Sequence, residues 1–271
     1  MTILVILALL LLLLMASIPV AIAILVLGLL VGFIFSSFPL HRVMGEIFWS
    51  ASTDFLLLAI PLFVLLGEVL LRAGIAKRTY SALDKWLSWL PGGLMHANIG
   101  TAAMFAATSG SSVATAATIS TVALPQARRY GYREGFFAGT IAAGGTLGIL
   151  IPPSINLIVY GFLTNTSIPQ LFMAGIVPGV LLAIVFMLVI LAICLVKPDM
   201  GGGQRSATWQ ERFASLKDLL PVLFIFAVVI GSIYAGWATP TESAALGVIA
   251  SVVLALRYKA VNGGFIKEVM E

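Results

Sequence analysis

Two stretches of this sequence gather residues able to hold an ion or a small polar solute, and neither contains a charged side chain. The first is Thr108-Ser109-Gly110-Ser111-Ser112, with Thr115 about a turn further on; the second runs Gly144-Gly145-Thr146-Leu147-Gly148-Ile149-Leu150-Ile151-Pro152-Pro153-Ser154, followed by Asn156. Adjacent prolines remove backbone donors and three glycines within five residues weaken a helix, so the second stretch predicts an unwound segment. Unwound backbone frees carbonyl oxygens, and together with serine and threonine hydroxyls these suit Na⁺. Helix C-termini expected at Thr108 and near Leu150 add further carbonyls, while N-termini expected at Ser112 and Ser154 offer amides to a carboxylate. Close helix packing alone accounts for small residues such as Thr118, Ser120 and Thr121. It does not call for a double proline opposite a polar turn.

The chemistry that is missing narrows the function. No His, Asp, Glu or Lys lies deep in an apolar run beside the serines, so a nucleophile with its base, or a catalytic metal, has no residues to build it. The lone cysteine, Cys194, sits inside an apolar run and reads as a small core residue. His41 and His96 lack zinc-ligand spacing. The ionisable residues near the ends of runs, Asp54, Glu68 and Glu242, read as interfacial, as do Trp49, Trp86, Trp89 and Trp237.

The elements that must carry these stretches are set by a composition that is 61% hydrophobic and only 10% charged over 271 residues. A soluble core cannot hide so much apolar side chain, so the solvent is the lipid bilayer. The net charge of +4 does not indicate nucleic acid, because the basic residues lie between hydrophobic runs and form no basic face. Since a bilayer core takes about twenty apolar residues at 1.5 Å each, spans are expected near 2–17, 19–36, 55–71, 135–163, 171–196, 217–235 and 241–257. The first two meet at Ser17-Ile18-Pro19, and their joint length exceeds that of a signal-peptide core.

Residues 94–127 read differently: legs Leu94 to Thr108 and Val113 to Gln126, each about 22 Å of helix, are too short to span comfortably and predict a re-entrant hairpin. Its tip and the Gly/Pro break at 144–152 lie at similar depth and can meet near mid-membrane. Of 15 basic residues only Arg42 lies in segment 37–54; the others fall in 72–93, 127–134, 197–217 and 257–271, which puts those segments in the cytoplasm and the N-terminus in the periplasm. A faint repeat relates Ile18-Pro19-Val20-Ala21 to Thr239-Pro240-Thr241-Glu242 in opposite orientations, the pattern of inverted-repeat transporters. The expected organisation is scaffold helices and an outer connection (1–53), a span with a cytoplasmic arm (54–93), half of a transport domain (94–196), a cytoplasmic linker (197–216) and the start of a second repeat (217–271).

The ordered motifs Ile60-Pro61-Leu62-Phe63, Gly67-Glu68, Gly74-Ile75-Ala76, Ser109-Gly110-Ser111-Ser112-Val113-Ala114, Gly131-Tyr132, Ile151-Pro152-Pro153-Ser154, Ala174-Gly175-Ile176 with Pro178-Gly179, and Thr239-Pro240-Thr241-Glu242 resemble the large membrane subunit of tripartite ATP-independent periplasmic (TRAP) transporters. The resemblance implies an all-α polytopic membrane protein of inverted-repeat, elevator type in the bacterial inner membrane. It implies Na⁺ as coupling ion without any other cofactor, and an organic acid, of the sialic acid or C4-dicarboxylate kind, delivered by a periplasmic substrate-binding protein. A small membrane subunit of about four helices is the expected partner. It further implies that oxygens of Ser109, Ser112, Gly145, Gly148 and Ile151 hold one sodium ion and that Ser111, Thr115, Ser154 and Asn156 face substrate. Many members carry an aspartate where this chain has Thr115. The family's large subunit continues through a second hairpin and a second break, so a chain ending at Glu271 is expected to lack the C-terminal part and to be inactive alone. A sodium/dicarboxylate symporter of related fold, working without a binding protein, is the alternative.

Overall fold

The computed structural model describes residues 2–35, 40–203, 207–261 and 263–270, and divides into two compact units, Met1–Asp54 and Phe55–Glu271. In the first unit, α1 (Thr2–Met15) and α2 (Val20–Phe35) are uniformly apolar helices. They are separated where Ser17 takes a φ of 58° and Pro19 removes a donor, as the sequence predicts. Segment 37–54, expected as a simple connection, contains α3 (Leu40–Ser52). Its Val43, Met44, Ile47, Phe48 and Ala51 recur at helical spacing on a stretch too short to register as a span.

The second unit begins with a 3₁₀ turn, Phe55–Leu58, leading into α4 (Ala59–Arg72) and the amphipathic arm helix α5 (Ile75–Leu87). The hairpin follows as α6 (Leu94–Ser109) and α7 (Ser112–Arg129). The interrupted span is α8 (Glu134–Gly145), a single turn α9 (Leu147–Leu150) and α10 (Ile155–Thr164). The long α11 (Ile168–Val196), α12 (Trp209–Tyr234), α13 (Pro240–Arg257) and the short α14 (Phe265–Met270) complete the unit. Among the described residues five helical stretches are long and apolar enough to cross a membrane: 55–72, 134–164, 168–196, 209–234 and 240–257. With no strand among the described residues, the chain is an all-α polytopic membrane protein.

One boundary differs from expectation by a turn or two. Helix α12 starts at Trp209 rather than near 217, within the segment read as a cytoplasmic linker. The cause is a capping box: Thr208 Oγ1 accepts the Glu211 N–H at 3.3 Å and Glu211 accepts the Thr208 N–H at 2.8 Å. An identical box, Thr239 with Glu242, opens α13 with Pro240 in its first turn.

In lipid the bundle is held by packing and hydrogen bonds rather than by escape from water. Two buried clusters form: Phe63, Leu66, Leu70, Phe105, Phe172 and Val229 in one, Met95, Ile99, Phe137, Ile141, Leu147 and Ile190 in the other. Helix α6 contributes to both, so the first hairpin leg runs between them. Polar ties fix its neighbours. Tyr80 on α5 donates to Asn98 Oδ1 on α6 at 3.0 Å, and Asn98 Nδ2 donates to Thr140 Oγ1 on α8 at 2.9 Å. At the root of the hairpin Leu94 N–H donates to the Tyr132 hydroxyl at 3.0 Å, and Gly203 N–H donates to the Tyr130 carbonyl at 3.2 Å. Trp86, expected as an interfacial anchor, is half-buried and donates to the Arg212 carbonyl at 3.1 Å; Trp49, Trp89 and Trp237 are exposed. His96 is buried with Nε2 at 2.9 Å from the Pro91 carbonyl, while the side chain of His41 lies outside the described residues.

Candidate functional site

The hairpin tip is built by two local signals set side by side. Gly110 ends α6 with φ 62°, a left-handed conformation that favours glycine, and its N–H returns to the Ala106 carbonyl at 3.1 Å. Ser111 is extended and caps α7, its Oγ accepting the Ala114 N–H at 3.3 Å. The chain therefore reverses within residues 110–111, and α6 ends with its carbonyls beside the first amides of α7.

The break forms where α9 ends at Leu150 and Ile151 becomes extended, followed by Pro152 and Pro153 and then by Ser154 at the entry to α10. Ser154 does not cap α10 with its side chain; its Oγ donates backward to the Ile149 carbonyl at 2.7 Å. The carbonyls of Ile151, Pro152 and Pro153 accept no hydrogen bond among the described residues; the N–H four residues after Ile151, that of Ile155, donates to the Gly110 carbonyl instead.

Tip and break touch. Ile155 N–H donates to the Gly110 carbonyl at 3.1 Å. A Cβ added at Gly110 would lie 2.9 Å from the Pro153 carbonyl oxygen, and one at Gly148 3.0 Å from both Ser111 C and Ser112 N. At Gly145 it would lie 3.1 Å from the Ser112 carbonyl oxygen. These glycines allow two backbones to meet where any side chain would separate them. On the opposite flank Gly67 of α4 approaches the tip, where a Cβ would lie 2.9 Å from Ser109 Cβ.

Of the residues assigned to sodium, Ser112, Gly145 and Gly148 are gathered at this contact, and Ser109 lies just behind it, buried, its hydroxyl 3.0 Å from that of Thr115. The Ser112 hydroxyl makes no hydrogen bond among the described residues. Ile151 lies on the same broken segment with its carbonyl unpaired. The residues assigned to substrate separate into two kinds. Ser111 is half-buried at the tip and Asn156 is exposed, whereas Thr115 and Ser154 are fully buried with hydroxyls engaged inside the protein. No Asp, Glu, Lys, Arg or His occurs in 97–127 or 135–165, so partial charges of helix ends and peptide dipoles set the electrostatics. Thr118, Ser120 and Thr121 behave as packing residues, the last two bonding carbonyls within α7.

Sequence reasoning missed the outer support of the break. Gly175 and Gly179 of α11 lie directly on it: a Cβ at Gly175 would meet the Leu150 carbonyl oxygen, and one at Gly179 would lie 2.7 Å from Ile151 Cγ1. Their spacing of one helical turn in an apolar run was the available signal.

Residues 6–271 match the family described as tripartite ATP-independent periplasmic transporter, DctM component. The chain is 38% identical over 231 residues to the C4-dicarboxylate TRAP transporter large permease protein DctM of Pseudomonas aeruginosa, covering 84% of this chain and 53% of the relative. It is 34% identical over 218 residues to the sialic acid TRAP transporter large permease protein SiaM of Vibrio cholerae (80% and 49%). Against the 2,3-diketo-L-gulonate TRAP transporter large permease protein YiaN of Escherichia coli it is 35% identical over 216 residues (79% and 50%). The chain spans about half the length of these curated relatives.

Proposed function

Because the chain belongs to the family of the DctM component of tripartite ATP-independent periplasmic transporters, we propose that it forms part of a permease that takes up an organic acid together with Na⁺. It is a multi-pass inner-membrane protein. In the proposed assembly a periplasmic binding protein delivers the solute and a small membrane subunit of about four helices accompanies the permease. The N-terminus lies in the periplasm, with segments 72–93 and 197–217 in the cytoplasm.

The observation that carries this reading is the charge-free contact between hairpin tip and broken helix, whose Ile151, Pro152 and Pro153 carbonyls and Ser112 hydroxyl have no hydrogen-bond partner among the described residues. Oxygens so placed lack donors, and a bound cation supplies the missing partner. Sodium is assigned to Ser109, Ser112, Gly145, Gly148 and Ile151. The substrate carboxylate then leans on the amide ends of α7 and α10 and on the bound sodium, contacting Ser111 and Asn156. Thr115 and Ser154 shape this face from behind, through Ser109 and the Ile149 carbonyl. The elevator-type alternation of the hairpin between the two faces belongs to the same proposal.

Uptake by the full-length assembly in proteoliposomes tests it. Replacing Na⁺ by K⁺ is expected to abolish uptake, and Ser109→Ala to raise the Na⁺ concentration for half-maximal rate. Undiminished uptake driven by a proton gradient alone overturns the proposal. A cysteine scan adds geometry: Ser111→Cys in a Cys194→Ala background should react with a membrane-impermeant thiol reagent from one side at a time, at a rate changed by Na⁺ and substrate. Inertness from both sides makes the tip a packing turn.

A further inference from the structure

We infer that α11 sets the ion preference of the proposed cation site, by fixing through Gly175 and Gly179 where the Ile151 carbonyl lies. The inference rests on the sodium reading above and extends it to residues that touch neither ion nor substrate.

Both glycines are buried, four residues apart on a helix of 29 residues, and both face the break. At Gly175 a methyl group would collide with the Leu150 carbonyl oxygen and reach Leu157 Cδ1 at 3.2 Å. At Gly179 it would lie 2.7 Å from Ile151 Cγ1 and 3.4 Å from Ile151 N. The atoms met belong to the Leu150–Ile151 stretch, the Leu150 carbonyl at one glycine and the Ile151 side chain, then its N and Cα, at the other. Pushing it carries the Ile151 backbone along. The same segment also meets the tip, because a Cβ at Gly148 would lie 3.0 Å from both Ser111 C and Ser112 N. The broken segment is thus gripped between α11 and the hairpin, with glycine at each contact.

The Ile151 carbonyl is the group whose position this grip decides. It has no hydrogen-bond donor among the described residues, so no internal bond holds it in place; only packing does. Ion preference in a cage of carbonyl and hydroxyl oxygens depends on cage size and on the field of the oxygens, so a carbonyl moved by a fraction of an ångström changes which alkali ion is favoured. A methyl group on α11 displaces the segment, and the alkali-ion preference changes with the displaced carbonyl.

The test is uptake by the full-length assembly in proteoliposomes, with half-saturating concentrations measured for Na⁺ and for Li⁺. Gly175→Ala and Gly179→Ala are each expected to change the Na⁺/Li⁺ ratio severalfold, with the larger change at Gly175, where the methyl group meets a backbone oxygen. Gly139→Ala, where an added Cβ meets nothing within 4 Å, is expected to leave the ratio unchanged. A general packing defect lowers maximal rate and leaves the ratio where it was; that result, in either glycine variant that folds, overturns the inference while the wild type remains sodium-dependent. If the wild type shows no cation dependence, the sodium reading itself fails, and the inference with it.

Discussion

A methyl group at Gly148 is placed 3.0 Å from Ser111 C and Ser112 N and 3.1 Å from the Ser111 carbonyl oxygen. All three are backbone atoms, so no side-chain rotation relieves the contact. Ordinary carbon contacts lie at about 3.5–4.0 Å, so Gly148→Ala forces the break and the tip apart by roughly 0.5–1 Å. Overpacking of this kind costs about 1–3 kcal/mol, and the gain from replacing glycine by alanine in a helix offsets about 0.5–1 kcal/mol of it. The net loss of about 1–2 kcal/mol falls on the surface proposed to hold the cation. Because each 1.4 kcal/mol is about tenfold in an equilibrium constant, the half-saturating Na⁺ concentration is expected to rise about 5- to 30-fold. Uptake rates in proteoliposomes at graded Na⁺ measure this, with thermal unfolding of the purified assembly in detergent as the companion reading. Gly139→Ala on α8 is the matched control, because its methyl group meets nothing within 4 Å. If Gly148→Ala and Gly139→Ala give the same sodium dependence and the same melting temperature, then the tip and the break do not depend on close contact and the reasoning fails.

Two further outcomes bear on the supports of the site. Tyr132→Phe removes the hydroxyl that accepts the buried Leu94 N–H at the root of the hairpin; it is expected to destabilise the protein by about 1–3 kcal/mol, visible as a lower melting temperature. Thr208→Ala dismantles the capping box of α12 and is expected to cost about 0.5–2 kcal/mol, with faster protease cleavage between 203 and 212 in inside-out vesicles, while Thr208→Ser retains both capping contacts and wild-type resistance.

Much of the architecture was legible because short-range chemistry wrote it. Pro19 after Ser17 divides the first apolar run whatever surrounds it, since a missing N–H and a left-handed residue end a helix locally. Gly110 followed by Ser111 reads as a helix end joined to a helix cap, and Pro152-Pro153 interrupts any helix, so the hairpin and the break appear close to their expected residues. The uniformly apolar runs announce lipid in the same way. The Thr208–Glu211 box was equally local, and reading α12 from apolar length alone passed over it. Helix α3 escaped for a related reason: its apolar positions show only as a period, on a stretch shorter than a span.

What the sequence by itself determined is therefore the long apolar helices, their interruptions and the oxygen-rich, charge-free character of the site. Which oxygens face that site was decided by the tertiary structure. Ser109, Ser111, Ser112 and Thr115 are near neighbours of similar chemistry, yet Thr115 turns inward to Ser109 while the Ser112 hydroxyl stays unpaired. Ser154 is a capping residue by type, but it bonds back to Ile149. The approaches of Gly67 to Ser109 and of Gly175 and Gly179 to the break join residues far apart in the chain. The rotation of a helix about its axis, and the rotamers that follow, depend on the fit of distant surfaces, a property of the packed whole that no local stretch of residues contains.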